Sequence, residues 1–413
     1  MNRGRELVPL PLAPDAAVLS ALPALEAALG RQSPPLLPVP AADRAVADRY
    51  AEVFSAGTGL APAEDDARDP TAFVVATSGS TADPKGALLP VSALRASAAA
   101  TDERLGGPGS WLLALPPWHV AGLQVLLRSL LAGTSPTVLD LTAPFTAEAF
   151  VAAAAACTGR RRYVSLVATQ LSRVLAAGGA AVEALAGFDA VLVGAAATPP
   201  TLQSAAREAG IGIVTTYGMT ETCGGCVYDG RPLAGVQVHL DDGRVLLGGE
   251  VVARGYSGRP ELSASAFDGH RFRTGDLGRV DGDGTLAVLG RADDVIVTGG
   301  VNVVPREVED LLLADPAVAE VAVIGVPDPQ WGQRVVAVVV SGAGSPPTLA
   351  SLRRRVTATS LPALAPRQLV LVPEMPLLGT GKPDRRNLRV LAERDVRART
   401  NPAEDGQAAP YSP

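Results

Sequence analysis

Small hydroxylated residues and glycines follow a short apolar segment near residue 77, and a lysine lies close to the end of the run. Residues 73–76 predict a buried strand. The loop after this strand reads Thr77-Ser78-Gly79-Ser80-Thr81-Ala82-Asp83-Pro84-Lys85-Gly86. Backbone N–H groups and hydroxyls in such a loop can hold phosphate oxygens, and the Lys85 ammonium adds positive charge. The spacing of Gly and Lys differs from that of the common NTPase loop. The segment therefore predicts a phosphate site of another kind.

Four further groups of residues with chemical potential follow along the chain. They are Tyr217-Gly218-Met219-Thr220-Glu221-Thr222, Arg273-Thr274-Gly275-Asp276-Leu277-Gly278, Gly290-Arg291-Ala292-Asp293-Asp294-Val295-Ile296 continued by Thr298-Gly299-Gly300-Val301-Asn302-Val303, and Leu378-Gly379-Thr380-Gly381-Lys382-Pro383-Asp384. An aromatic side chain offers a face to a purine, and a carboxylate suits a hard cation that bridges phosphates. One carboxylate can also accept two O–H hydrogen bonds from a vicinal diol.

In this order the five motifs resemble those of the adenylate-forming ligases, which include acyl-CoA synthetases, firefly-type luciferases and peptide-synthetase adenylation domains. The resemblance spans about residues 70–390. It implies that Glu221 binds the Mg²⁺ of MgATP and that Lys382, Lys85 and His119 are catalytic. It further implies ATP or AMP binding by Thr77, Ser78, Gly79, Ser80, Thr81, Lys85, Gly194, Ala195, Ala196, Tyr217, Gly218, Met219, Thr220, Asp276 and Arg291. One position departs from the pattern, since the family usually has Gly where this chain has Ala82.

The resemblance also implies a reaction in two steps. A carboxylic acid first reacts with ATP to give an acyl-adenylate, and the acyl group then passes to a thiol, for which we expect CoA. Asp293 would be the hinge about which a small C-terminal domain moves. Gly299 and Gly300 would leave a channel for the pantetheine arm of CoA.

Two segments bear on the identity of the acid. Residues 115–122 contain Trp118-His119 and resemble the family segment that holds an aromatic–histidine pair beside the acyl group. Residues 163–171 resemble the corresponding segment of the o-succinylbenzoate–CoA ligases of menaquinone synthesis. The resemblance thus implies an aromatic or other carboxylic acid, with o-succinylbenzoate as the leading candidate. The expected acyl contacts are Trp118, His119, Ser165, Thr169, Gln170 and Gly218.

Other interpretations stay open at the level of sequence. Residues 163–171 are also compatible with a strand-to-helix cap in which Ser165 and Thr169 are only structural, and His119 with a core histidine. Arg173 lies one turn beyond Thr169 and is a second candidate partner for a distal carboxylate. The alternative functions are another acyl- or aryl-CoA ligase, a stand-alone adenylation domain that loads a carrier protein, and a non-catalytic nucleotide-binding protein.

The elements that must position these residues follow an alternating pattern. Short apolar strands are predicted at residues 73–76, 111–115, 137–139, 163–167, 190–193 and 212–215, with helices between most of them. This alternation predicts parallel α/β sheets with both faces covered. Residues 1–70 are predicted to be helix-prone, and short strands after residue 230, including residues 250–253, predict a β-rich subdomain. From residue 293 onward the pattern predicts a small, mobile α+β domain.

These patterns divide the chain into three parts. Residues 1–291 form the predicted large AMP-binding domain, residues 292–400 form the predicted small domain that carries Lys382, and residues 401–413 are predicted to be a disordered tail. The oligomeric state is left open, with a homodimer as one possibility.

Composition narrows the range of partners. The formal net charge is −6. The chain therefore has no large basic field, and we expect no nucleic-acid partner. No apolar run reaches the length of a membrane-spanning helix, and no signal peptide is visible, so we expect no membrane insertion. Cys223 and Cys226 form a C-x-x-C pair without a second pair of ligands, which argues against a zinc site. The few cysteines are typical of a reduced, cytoplasmic protein.

Overall fold

The computed structural model describes residues 4–77, 84–342, 344–377 and 383–400. The chain divides into two compact units. The first unit contains the chain up to Thr274 together with Val280–Ala287, and the second contains Gly275–Arg279 and the chain from Val288 onward. The predicted domain boundary at residues 291 and 292 stays a prediction, and the predicted tail lies outside the described residues. None of the helices in the described ranges has the length and hydrophobicity that a bilayer-spanning helix requires.

The helices of the first unit separate most of its strands. They are α1 (Leu22–Leu29), α2 (Arg44–Val53), α3 (Val91–Leu105), α4 (Val120–Leu131), α5 (Ala147–Ala156), α6 (Ala168–Ala177), α7 (Gly179–Ala186), α8 (Pro200–Glu208) and α9 (Pro260–Ala266). Local signals define their ends. The Thr146 hydroxyl accepts a hydrogen bond from the Ala149 N–H at the start of α5, and Gly106 ends α3 with a φ of 86°. These are the usual chemistries of a helix start and a helix stop.

A four-stranded sheet forms the N-terminal part of the first unit. Its strands are β1 (Val8–Leu12), β2 (Leu36–Pro40), β3 (Thr71–Ala76) and β4 (Gly86–Pro90), in that order. The pairs β1–β2 and β2–β3 are parallel, and β3–β4 is antiparallel. The expectation that residues 1–70 would be only helix-prone was therefore wrong, because two proline-rich segments form strands. β3 and β4 flank the predicted phosphate loop.

A seven-stranded sheet forms the rest of the α/β body, in the order β11-β10-β9-β8-β7-β5-β6. Its strands are β5 (Ser110–Leu113), β6 (Thr137–Val138), β7 (Arg162–Val167), β8 (Ala190–Gly194), β9 (Ile213–Met219), β10 (Gly224–Tyr228) and β11 (Arg231–Pro232). The pairs from β6 to β9 are parallel, whereas β9–β10 and β10–β11 are antiparallel. Apolar residues of β5, β7 and β8 pack against α5–α8 on one face, as predicted for a covered parallel sheet.

Short antiparallel strands follow the α/β body. They are β12 (Gln237–Asp241), β13 (Arg244–Gly248), β14 (Phe267–Asp268), β15 (Arg271–Val280) and β16 (Leu286–Arg291). β12 and β13 form a hairpin, and β14 pairs with the start of β15. The predicted strand at residues 250–253 was wrong. A turn closes there between the Val252 N–H and the Gly249 carbonyl, and the Ala253 N–H donates to the Glu221 carbonyl.

The second unit folds around a five-stranded sheet in the order β18-β17-β20-β19, with β21 paired to β20. Its elements are β17 (Ile296–Thr298), β18 (Val301–Val303), α10 (Pro305–Leu313), β19 (Val318–Asp328), β20 (Gly332–Ser341), α11 (Leu349–Thr359), β21 (Gln368–Leu371) and α12 (Arg385–Thr400). Alternate residues of β19 and β20 face opposite sides. Val323 and Val335 pack with α10 and α11, whereas Ile324 and Val336 pack with α12. The predicted small α+β arrangement is present.

Candidate active site

The carboxyl ends of four adjacent strands bring several predicted site residues to one edge of the seven-stranded sheet. The strands β9, β8, β7 and β5 lie side by side and run parallel. Tyr217 and Gly218 lie at the end of β9, Gly194 ends β8, Ser165 lies near the end of β7, and His119 follows β5. In open α/β sheets, ligands bind in the crevice beyond these strand ends. Candidates for nucleotide binding and for acyl binding therefore follow one another along a single edge.

The predicted purine-binding motif, residues 217–222, is held by a tight strand pair. β9 extends through Tyr217 to Met219, farther than the predicted strand at residues 212–215, because it pairs with β10 across Gly218 and Gly225. A Cβ added at Gly218 would lie 2.1 Å from the Gly224 carbonyl oxygen, so the two backbones approach too closely for a side chain. Beyond the strand, the Met219 N–H donates to the Thr222 hydroxyl at 3.0 Å. The motif is thus fixed by close backbone pairing at Gly218 and by a side-chain hydrogen bond at Met219.

Glu221 and Lys85 lie on either side of a tyrosine that the sequence analysis did not single out. The Glu221 side chain is buried, and its Oε1 accepts a hydrogen bond of 2.7 Å from the Tyr256 hydroxyl. The Lys85 Nζ lies 5.3 Å from the centroid of the same tyrosine ring. The sequence signal that could have found Tyr256 is a polar-tipped aromatic residue directly after Arg254-Gly255, next to the segment misread as a strand.

The phosphate loop is described only at its ends. The Thr77 N–H donates to the Lys85 carbonyl at 2.7 Å, which joins the two ends of the loop. The predicted phosphate-binding residues Ser78, Gly79, Ser80 and Thr81, and the atypical Ala82, lie outside the described residues.

Small residues line the turn after β8, as the sequence predicts. A Cβ at Gly194 would lie 2.4 Å from the Thr216 Oγ1 on the neighbouring β9. The next residue, Ala195, has a φ of 66°, which is an uncommon left-handed conformation for a residue with a side chain. Ala196 is partly exposed beyond it. The backbone is therefore accessible here to a flat ring.

The Trp118-His119 pair lies between β5 and α4. The two ring centroids are 6.1 Å apart, and both residues are half-buried. Burial lowers the pKa of His119, because the charged imidazolium loses water. The imidazole is therefore neutral at pH 7.

Residues 163–171 show a division of roles. Ser165 is buried on β7, whereas Thr169 is exposed on the first turn of α6. The Gln170 Oε1 accepts from the Val167 N–H at 3.0 Å, and its Nε2 donates to the Ala114 carbonyl at 3.0 Å. Gln170 thus caps α6 and fastens it to the end of β5. A strand-to-helix cap is therefore present, but Gln170 makes it rather than Ser165 or Thr169. The contacts of Ser165, Thr169 and Gln170 with the acyl group stay predictions.

Arg173 is the other candidate for a distal carboxylate. Its side chain is exposed, and its guanidinium donates to the Phe145 carbonyl at 3.3 Å. That contact uses one N–H of the guanidinium at the protein surface.

The second unit holds the predicted ribose and hinge residues. The Asp276 Oδ1 lies 3.4 Å from the Arg291 Nη1, and the Arg291 Nη2 lies 3.6 Å from the Asp293 Oδ2. Gly299 and Gly300 form the two-residue turn between β17 and β18, with φ values of 58° and 79°. Such a turn requires residues that tolerate positive φ at both positions. Lys382 lies outside the described residues, although Leu377 and Pro383 pair on either side of its segment.

Glu221 is the described residue that suits a metal ion, and Cys223 and Cys226 are buried thiols. Across the described ranges, no group of three or more His, Cys, Asp or Glu residues is placed to hold a metal ion. Mg²⁺ commonly takes one or two protein carboxylates together with substrate phosphates and water, and the buried, hydrogen-bonded Glu221 fits that donor set. Cys223 and Cys226 are free and buried, and burial raises the pKa of both thiols, that of Cys226 to about 12.

The arrangement of strand-end motifs, together with a separate α+β unit, defines a class of protein. The chain belongs to the AMP-binding enzyme family. The family model of the AMP-binding enzyme matches residues 15–257, and that of the AMP-binding enzyme C-terminal domain matches residues 307–382. The predicted membership in the adenylate-forming ligases and the predicted fold class are therefore confirmed.

Individual relatives narrow the similarity. The chain is 47% identical over 369 residues to a probable 2-succinylbenzoate–CoA ligase of Mycobacterium tuberculosis, covering 88% of this chain and 93% of the relative. It is 33% identical over 348 residues to a 2-succinylbenzoate–CoA ligase of Geobacillus kaustophilus, covering 78% of this chain and 69% of the relative. The structure of wild-type E. coli MenE with a bound analogue of OSB-AMS matches with a TM-score of 0.74 and 27% identity, covering 95% of this chain and 89% of that chain.

Proposed function

We propose that the chain is an AMP-forming acid–CoA ligase that converts 2-succinylbenzoate, ATP and CoA into 2-succinylbenzoyl-CoA, AMP and pyrophosphate, a step of menaquinone biosynthesis. The observation that carries the proposal is the single sheet edge along which the purine motif at Tyr217, the small-residue turn at Gly194, and the acyl candidates Ser165 and His119 follow one another. The similarity over 88% of the chain to a probable 2-succinylbenzoate–CoA ligase supports the choice of acid.

In the first step, an oxygen of the substrate carboxylate attacks the α-phosphorus of ATP, and the bond to pyrophosphate breaks. Negative charge moves toward the leaving pyrophosphate, so a cation placed there stabilises the transition state more than the ground state. In our proposal Lys85, at the end of the phosphate loop, supplies this positive charge. Lys382 bridges the substrate carboxylate and the α-phosphate, where charge also develops. Glu221 holds the Mg²⁺ that accompanies ATP, and when bound this ion neutralises phosphate charge.

In the second step, the CoA thiolate attacks the acyl carbonyl carbon, and the bond between that carbon and the AMP oxygen breaks. We propose that the small domain turns about Asp293 between the steps, so that Lys382 leaves and the Gly299-Gly300 turn faces the acyl-adenylate. Asp276 and Arg291 hold the ribose and phosphate of the nucleotide. The neutral His119 shapes the acyl side without adding charge that would compete with these groups.

The substrate assignment is tested by measuring pyrophosphate release with ATP, Mg²⁺ and CoA across a panel of acids, with the acyl-CoA products identified by mass spectrometry. The panel contains 2-succinylbenzoate, substituted benzoates and fatty acids. We expect the highest kcat/KM for 2-succinylbenzoate. Equal rates with benzoates or fatty acids would reject this acid, and acyl transfer only to a phosphopantetheinyl carrier protein would reject CoA.

The division of labour between the two steps is tested with Lys382→Ala. We expect the variant to lose adenylate formation, because the ammonium that bridges the carboxylate and the α-phosphate is absent, and to keep thioester formation from a supplied acyl-adenylate. Both half-reactions are measured separately by rapid quench. An equal loss in both steps would contradict a role restricted to adenylation.

The place of action and the assembly are further parts of the proposal. We propose that the enzyme acts in the cytoplasm, since Cys157, Cys223 and Cys226 are all free thiols. A homodimer stays a prediction, and light scattering of the purified protein checks it.

A further inference from the structure

Tyr256 is anchored to the strand that begins directly after the phosphate loop. The Leu88 N–H of β4 donates to the Gly255 carbonyl at 2.9 Å, and the Ser257 N–H donates to the Gly86 carbonyl at 2.8 Å. These two bonds flank Tyr256 in sequence and pair its segment with the start of β4. The backbone position of Tyr256 is therefore set by β4, which begins directly after Lys85.

The ring of Tyr256 is fixed by packing. Its side chain is only 3% exposed, and the Phe267 ring packs edge-on against it at a centroid distance of 5.2 Å. The Tyr256 N–H donates to the Ser263 hydroxyl at 2.8 Å. A buried ring that is held on several sides has few rotamers open to it. Its hydroxyl and its face consequently point in fixed directions.

Both fixed features meet charged groups of the proposed reaction. The hydroxyl donates to the Glu221 Oε1 at 2.7 Å, a usual distance for an O–H···O hydrogen bond. The Lys85 ammonium lies 5.3 Å from the ring centroid, within the range of a cation–π interaction. One aromatic side chain thus contacts a carboxylate proposed to bind Mg²⁺ and an ammonium proposed to bind phosphate, although Glu221 is 35 residues away in sequence.

We infer that Tyr256 is a positioning residue for MgATP. Its hydroxyl orients the Glu221 carboxylate toward the metal, and its ring face orients the Lys85 ammonium toward the phosphates. This inference rests on the proposed function, because it concerns the same nucleotide site. The hydroxyl contacts Glu221 and the ring contacts Lys85. Removing only the hydroxyl should therefore weaken only the Mg²⁺-dependent part of ATP binding.

The experiment measures binding of α,β-methylene ATP by isothermal titration calorimetry, once with Mg²⁺ and once with EDTA. We expect Tyr256→Phe to weaken binding about tenfold with Mg²⁺, which is the usual effect of one hydrogen bond to a charged group, and to leave binding in EDTA unchanged. Tyr256→Leu also removes the ring and weakens binding in both conditions. The matched control is Tyr228→Phe, since Tyr228 is equally buried and its hydroxyl lies 3.1 Å from the Thr101 hydroxyl. It should match the wild type in both conditions.

A double variant tests whether Tyr256 acts through Glu221. In a Glu221→Gln background, Tyr256→Phe should cause no further loss of Mg²⁺-dependent affinity. The inference alone is overturned if Tyr256→Phe binds with wild-type affinity in the presence of Mg²⁺. It is also overturned if Tyr256→Phe loses as much affinity in EDTA and in the Glu221→Gln background as it does with Mg²⁺. A wild-type protein that binds no nucleotide in either condition overturns the proposed function and the inference with it.

Discussion

Replacing Gly218 by alanine perturbs the strand pair that carries the purine-binding motif. The new Cβ would lie 2.1 Å from the Gly224 carbonyl oxygen, 2.7 Å from the Gly225 Cα and 2.9 Å from the Cys226 nitrogen. All three atoms belong to the backbone of β10, so no side chain can rotate away. The strands must separate by about 1 Å to restore van der Waals contact, which also weakens the ladder between them.

The expected size of this effect follows from two costs. Overpacking typically costs about 1–3 kcal/mol, and each weakened backbone hydrogen bond adds about 1 kcal/mol. We therefore expect Gly218→Ala to lower the free energy of unfolding by about 3 kcal/mol. We also expect it to raise the KM for ATP, because Tyr217 lies on the displaced strand.

Gly194→Ala provides the contrast for this prediction. Its Cβ would lie 2.4 Å from the Thr216 Oγ1, but the Thr216 backbone oxygen and Cβ are at 3.5 Å and 3.8 Å. The hydroxyl can rotate, so the loss of stability should be smaller, and adding Thr216→Ala should recover most of it. Urea unfolding, monitored by circular dichroism, measures the free energy of unfolding. Steady-state kinetics measure the KM for ATP. A Gly218→Ala protein with wild-type stability and ATP KM would refute the close-approach argument.

Two further predictions concern His119 and Gln170. Burial holds the pKa of His119 below its ordinary value of 6.5, so the unfolded chain binds more protons than the folded chain at low pH. The neutral imidazole therefore costs no stability above about pH 6.5, and it lowers the free energy of unfolding progressively as the pH falls. The stability difference between wild type and His119→Asn, measured by urea unfolding between pH 7.5 and about pH 5.5, should shift toward His119→Asn at low pH; a constant difference would contradict a buried neutral imidazole. Gln170→Leu leaves the Val167 N–H and the Ala114 carbonyl without their partner, and we expect a loss of about 2 kcal/mol in urea unfolding. An unchanged unfolding midpoint would show that the cap contributes nothing.

The sequence predicted elements well where the pattern was local. The residue pattern predicts helices at residues 168–177 and 349–359, and α6 and α11 have these bounds. β1 and β2 were missed because their prolines indicate a break rather than a strand. The Val8 N–H instead donates to the Pro35 carbonyl, and the Ala41 N–H to the Leu12 carbonyl. In β1, which is an edge strand, the prolines alternate with residues that can still donate.

The site shows the same contrast between local and distant information. The motifs around Lys85, Glu221 and Asp276 are recognisable because each is a continuous run of residues. A partner of Glu221 is Tyr256, and a partner of Gln170 is the Ala114 carbonyl, 35 and 56 residues away. Only the folded chain brings these groups together, so a single sequence without spatial information cannot reveal them.

The most direct test of the proposed chemistry follows an oxygen atom. 2-Succinylbenzoate labelled with ¹⁸O in its carboxylates is incubated with the enzyme, ATP, Mg²⁺ and CoA, and the products are analysed by mass spectrometry. The account predicts AMP that carries one ¹⁸O atom, because the carboxylate oxygen stays on the α-phosphorus when the thiol displaces it, together with unlabelled pyrophosphate. Unlabelled AMP, or the formation of ADP and labelled phosphate, would contradict an acyl-adenylate intermediate.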